Sequence, residues 1–175
     1  AATEAAAAAP AAAEPEATGG GVAHVPKFDS FRAPAGCQGF RGQQDATLVR
    51  PAGEDISGDF ALEDLTDCTI TLLSASSVLW IRNLTRCTLV ALPVRGSIYV
   101  TQCEGCTLYL GSRQLRIHAS DQVDFYAHMS SHPIIEHCSS LRFAPYPTLP
   151  THLAPALEAA GLRTEHNQWD CVDDF

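Results

Sequence analysis

Two groups of side chains in this 175-residue sequence have types and spacings that could support chemistry. The first is Gln114-Leu115-Arg116-Ile117-His118, where polar and apolar residues alternate. In an extended strand this alternation puts Gln114, Arg116 and His118 on one face and buries Leu115 and Ile117. A guanidinium held in that way suits a planar, bidentate contact to carboxylate or phosphate. The second group is the thiols. Cys103-X-X-Cys106 has the spacing of half a zinc site, but a closed site needs four ligands. The seven histidines show neither HExxH nor any other paired ligand spacing, so no metal is expected. Beyond its place beside Arg116, His118 reads as a surface histidine. No GxSxG elbow, GxxxxGK[ST] phosphate loop or GxGxxG occurs, and no acid pair has a spacing that marks glycosidase chemistry. A self-contained enzyme active site is not expected.

The elements that position these residues come from a repeat. Short alternating segments recur in one register at Ser77–Ile81, Ser97–Val100, Gln114–Ile117 and Pro133–Glu136. Between them fall CTITL from Cys68, CTLVAL from Cys87, CTLYL from Cys106, VDFYA from Val123 and LRFAP from Leu141. Spacings of 17 to 19 residues with no sustained helical period are the signature of a solenoid. Coils of three short strands, about 18 residues per rung, predict an all-β, right-handed parallel β-helix. Leu79, Ile98 and Leu115 then stack as one inward column, and Ile81, Val100 and Ile117 as the next. Cys68, Cys87 and Cys106 form a third, continued by Val123 and Leu141, while Cys103 joins Leu65, Leu84 and Cys138. Thiols in columns shared with Leu and Val read as small core hydrophobes. An odd count of seven argues against structural disulfides and fits a reducing, cytoplasmic setting.

If those columns point inward, the outward ones follow by parity. Gln114, Arg116 and His118 gain Trp80 and Arg82, Tyr99 and Thr101, and Ile134 and Glu136 as neighbours on adjoining rungs. Tyr, Trp and Arg are the residues from which binding hot spots are built, so this strip reads as a protein-binding face. The alternative is that acidic loops or the C-terminal tail cover it. Arg113 has the opposite parity and belongs at an inward or turn position, as a lesser contender for the role of Arg116.

Composition narrows the partners. Twenty acids against 11 bases give a net charge of −9, which disfavours nucleic acid and acidic membrane surfaces. No apolar run reaches bilayer length, and no charged segment followed by an apolar one opens the chain as a signal peptide would. Residues 1–27, with 11 alanines in the first 21 and a closing Gly19-Gly20-Gly21, read as a disordered linker. Residues 28–147 read as the β-helix domain, with Phe28 to Phe40 covering one end. Residues 148–175 read as a short helix, capped by Thr151 and stopped at Gly161, and a tail (NQWDCVDDF) packed on the end or a side of the β-helix.

The runs Pro93–His118 (PVRGSIYVTQCEGCTLYLGSRQLRIH) and Ser131–Tyr146 (SHPIIEHCSSLRFAPY) resemble the C-terminal domain of the tubulin-binding cofactor C family. That domain also occurs in the X-linked retinitis pigmentosa protein, and its fold is related to that of cyclase-associated proteins. The likeness covers roughly residues 36–147, and Asn167, Trp169 and Val172–Phe175 are similar to the end of cofactor C. It implies a GTPase-activating protein with no active site of its own, acting on the tubulin heterodimer held by folding cofactors D and E. The GTP and Mg then belong to the partner, and this chain needs no cofactor. By resemblance Arg116 is the arginine finger and Gln114 its supporting neighbour. Ser112-Arg113 stands where the family commonly has Cys-Gln. Two alternatives remain: an activator of an Arf-like small GTPase, and a non-catalytic cytoskeletal binding module. The Ala-rich segment ahead of the domain and the close at Phe175 incline the expectation towards the cofactor C branch.

Overall fold

The computed structural model describes residues 31–53, 58–147 and 153–175. Among the described residues, thirteen strands form a parallel β-solenoid and one helix packs beside it. Sheet A stacks β1 (Gln38–Arg41), β3 (Phe60–Thr66), β5 (Leu79–Thr85), β7 (Ser97–Thr101), β9 (Gln114–His118), β11 (Ile134–Glu136) and β13 (Asp173–Asp174) in that order. Sheet B stacks β2 (Thr47–Arg50), β4 (Thr69–Leu72), β6 (Thr88–Ala91), β8 (Thr107–Ser112), β10 (Asp124–Met129) and β12 (Arg142–Pro145). The third side of each coil is shorter than the expected strand. It shrinks to single bridges, Thr85 to Glu104, Glu104 to Asp121 and Asp121 to Ser139.

The corners explain why. Each coil turns through two residues of positive φ three positions apart: Asp64 and Asp67, Asn83 and Arg86, Gln102 and Gly105, Ala119 and Gln122, His137 and Ser140. Asp, Asn and Gly enter this left-handed region at low cost. A left-handed residue breaks the two-residue alternation, so Ile81, Leu84 and Cys87 all point inward although three apart. Each is at most 1% exposed. The predicted columns form as read: Leu79 pairs with Ile98 and Ile98 with Leu115, and Ile81, Val100 and Ile117 follow in the same register. Fully burying one such aliphatic side chain stabilises the fold by about 1.5–3 kcal/mol. All seven cysteines are free, and Cys68, Cys87, Cys103 and Cys106 are buried in the core.

Three expectations about the flanks need correction or completion. Phe40 does not belong to an end cap: it lies in β1, the first rung, and packs against the core, ring to ring with Phe60 at 5.5 Å. Phe28 and Thr151 lie outside the described residues. Helix α1 (Leu153–Ala159) ends in a Schellman motif, with Leu162 N–H bonded to Leu157 O and Gly161 at φ +71°. Leu157, Ala160 and Leu162 pack on Tyr146 and Tyr109, which places the helix against a side of the solenoid at sheet B. The tail takes the far end. Asn167 Oδ1 accepts from Met129 N–H at 2.8 Å, Trp169 packs on the core, and β13 extends sheet A beside β11. Among the described residues no helix is long and apolar enough to cross a membrane.

Candidate functional site

Sheet A brings all nine predicted site residues onto one outward face. Trp80, Tyr99, Arg116 and Ile134 are successive register partners across β5, β7, β9 and β11. Arg82, Thr101, His118 and Glu136 form the parallel column two residues along each strand. Gln114 opposes Ser97, whose Oγ donates to Gln114 Oε1 at 3.3 Å.

Arg116 stands near the middle of this face, half-buried, between Tyr99 and Ile134. Its side chain makes no hydrogen bond or ion pair with any described residue. Its strand is bonded to β7 on one edge and β11 on the other, so its backbone is fixed while the side chain is uncommitted. Arg82, one column away, is committed: its Nε donates to Gln102 Oε1 at 3.2 Å. Arg113 is exposed at the turn between β8 and β9, with a guanidinium nitrogen close to Gly161 beside the helix, away from the face.

An aromatic wall flanks Arg116. Tyr99 stacks on Trp80 with ring centroids 4.5 Å apart and planes at 13°, and Trp80 Nε1 donates to Asp59 Oδ2 at 3.0 Å. The expectation for His118 is overturned. It points outward, as parity requires, yet it is only 3% exposed, and Thr101 only 5%. Phe31 lies over His118, its ring stacked on the imidazole at 6.0 Å and edge-on to Tyr99 at 5.4 Å. Burial, with the neighbouring His137 second, pushes the His118 pKa down from its usual value against the opposing pull of Glu136. Among the described residues, the ring over His118 comes from the N-terminal side, and the tail does not lie across the sheet. The tail adds only an edge strand, with Asp173 beside Ile134 and its carboxylate 3.3 Å from His132 Nδ1.

Phe31, Asp59, His137 and Asp173 are the members of this face that the sequence reading did not single out. Asp59 was open to the same parity rule, standing one place before the inward Phe60. Nothing periodic connects Phe31 to Tyr99. Among the described residues no group of three or more His, Cys, Asp or Glu side chains could hold a metal ion. A fixed strand carrying a guanidinium that no described residue holds, beside stacked rings, can grip an anionic group.

The profile of the family described as Tubulin binding cofactor C matches residues 57–175. Tubulin-folding cofactor C of Arabidopsis thaliana is 35% identical over 137 residues, 78% of this chain and 40% of that protein. Tubulin-specific chaperone C of Homo sapiens is 31% identical over 149 residues, 85% of this chain and 43% of that protein. Protein XRP2 of Mus musculus is 39% identical over 136 residues, 78% of this chain and 39% of that protein. The matched part therefore spans about two fifths of the length of these curated relatives. With more than half of its residues matched by the profile, the chain belongs to the tubulin binding cofactor C family.

Proposed function

We propose that this chain is a GTPase-activating protein for tubulin in the tubulin-folding cofactor pathway of the cytoplasm. It supplies Arg116 in trans to the GTP site of β-tubulin, triggering hydrolysis and release of the folded heterodimer from the other cofactors. The observation that carries this reading is the Arg116 guanidinium, held by no described residue, on a doubly bonded strand at the centre of a face lined by Trp80, Tyr99 and Ile134.

In phosphoryl transfer negative charge spreads over the oxygens of the transferred group, and an arginine delivered by a partner is worth roughly 10³–10⁵ in rate. That gain corresponds to about 4–7 kcal/mol of barrier. Such a group is effective when it is aimed before the charge develops and when water is excluded from around it. Strand β9 supplies the aim, and the Trp80–Tyr99 wall and Ile134 supply apolar surface to seal the contact. Gln114, two residues before Arg116 on the same face, supports the guanidinium from its own fixed position. GTP and Mg enter with the partner.

The test is single-turnover GTP hydrolysis on tubulin with the other folding cofactors present, with and without this chain. Stimulation supports the reading; its absence at saturating protein counts against tubulin as the substrate. A second reading keeps the chemistry and changes the partner to an Arf-like small GTPase. The 39% identity to Protein XRP2 favours including that substrate class in the same assay.

A further inference from the structure

Along the Arg82–Thr101–His118–Glu136 column burial peaks in the middle. Thr101 and His118 are almost sealed, while Arg82 and Glu136 on either side are half-buried. The peak coincides with Phe31, whose ring lies flat over His118, 14° from parallel, and edge-on to Tyr99. His137 closes another side of His118 edge-on at 5.5 Å. Tyr99 and His118 therefore make an aromatic seat, with His137 beside His118, and Phe31 sits in it.

Among the described residues, fewer backbone hydrogen bonds tie down the segment that carries Phe31 than the strands beneath. Between residues 31 and 37 one backbone hydrogen bond joins described residues, Cys37 N–H to Pro34 O at 3.1 Å. Gly36, at φ +81°, lets the chain turn there before β1. Strands β7 and β9 are bonded along both edges. Phe31 itself is half-buried, so lifting its ring forfeits less than burial of a whole phenylalanine provides.

We propose that Phe31 is a displaceable occupant of a docking seat for an aromatic or apolar side chain of the partner GTPase, which takes the place over His118 as it engages Arg116. The proposal rests on the GTPase-activator reading and adds to it a second contact point and the chemistry it accepts. His118 lies two residues from Arg116 on the same face, about 7 Å along the strand. A specific interface covers about 800 Å² on each partner, so one that closes around Arg116 reaches the seat. Buried aromatic anchors are the side chains that such centres accept. A resident ring lowers the apparent affinity of the partner in proportion to the time it fills the seat, and leaves the rate of the bound complex unchanged.

The test uses the full 175-residue chain carrying Phe31→Ala or, as an apolar replacement, Phe31→Leu. Phe31 lies outside the solenoid core, so both variants keep the fold. In single-turnover hydrolysis on tubulin with the other cofactors, Phe31→Ala lowers the half-saturating concentration about three- to tenfold at an unchanged saturating rate. Phe31→Leu falls between Phe31→Ala and wild type. Without partner, the NMR titration of the His118 ring moves up towards its usual range in Phe31→Ala, with His137 and Glu136 still facing it. An unchanged or raised half-saturating concentration overturns the docking seat while leaving the activator reading intact. An unmoved His118 titration also overturns it, because Phe31 would then not be what seals the seat. Absence of stimulation by wild type and variant alike sinks the activator reading and the seat together.

Discussion

Tyr99 and Arg116 are register partners on adjacent parallel strands, side by side on the outward face of sheet A. Tyr99 stacks in turn on Trp80, and Trp80 is anchored to Asp59. The guanidinium thus rises from a hydrogen-bonded floor beside a wall of two stacked rings, with a side chain that no described residue holds down. A charge acting in trans needs this combination of fixed origin and free tip.

Replacing Tyr99 with Ala removes the centre of that wall. The expected result is partner binding weakened about ten- to thirtyfold, as for a truncated aromatic hot spot, with a much smaller drop in saturating rate. Calorimetric titration against the GTPase measures the first and single-turnover kinetics the second. Normal affinity with a collapsed rate would mean that Tyr99 orients Arg116 and does not anchor the partner.

The thiols of the core should behave as packing atoms. Burial pushes the Cys103 thiol up to about 12, which leaves it protonated and unreactive near neutral pH. Cys103→Val keeps a similar volume in a column shared with Leu65 and Leu84 and should cost less than about 1.5 kcal/mol. Cys103→Asp buries an unpaired acid and should cost about 3 kcal/mol or more. Urea denaturation distinguishes the two, and equal losses would contradict the packing role.

Acid sensitivity should begin with His118. Its folded pKa lies below the ordinary 6.5 because of burial, so the unfolded chain takes up a proton first. Stability that is complete above about pH 6.5 is therefore lost as pH falls towards the folded value. His118→Gln should flatten the dependence of the denaturation midpoint between pH 7 and about 5. Loss below about pH 4 belongs to carboxylates such as Asp67 and Asp121, held low by hydrogen bonds from Arg86 and Ser139. An unchanged slope in His118→Gln would show that the group does not titrate differently on folding.

One corner carries a residue poorly suited to it. Ala119 is exposed at φ +46°, where neighbouring coils place Asn83 and Gln102. Ala119→Gly relieves the left-handed strain and should raise stability by about 0.5–1 kcal/mol. Differential scanning calorimetry reads this as an upward shift of the melting temperature. A downward shift would mean that the flexibility glycine adds to the unfolded chain outweighs the relief.

Much of this architecture was legible in sequence because a solenoid writes its contacts at a fixed interval. Leu79, Ile98 and Leu115 could be stacked before any coordinates, and with them the outward Trp80, Tyr99 and Arg116. The first rung was missed because its interval differs: Gln38 pairs with Phe60, 22 positions on, whereas Phe60 pairs with Leu79, 19 on. The short third side was overestimated because left-handed corners keep residues three apart pointing inward, which mimics part of a strand. His118 was misread as exposed because its cover, Phe31, arrives from outside the repeat and obeys no period. Parity gives the direction of a side chain, and what lies on top of it depends on segments that parity does not reach.

The most direct measurement compares wild type with Arg116→Ala in single-turnover GTP hydrolysis on tubulin with the other folding cofactors, alongside the affinity of each for the complex. The finger account predicts stimulation by wild type and a loss of about 10³-fold or more in the variant, with binding altered only a few-fold. Arg116→Lys should recover little, because an ammonium lacks the planar fork. Retained stimulation by a correctly folded Arg116→Ala protein would remove Arg116 from the role and contradict the account.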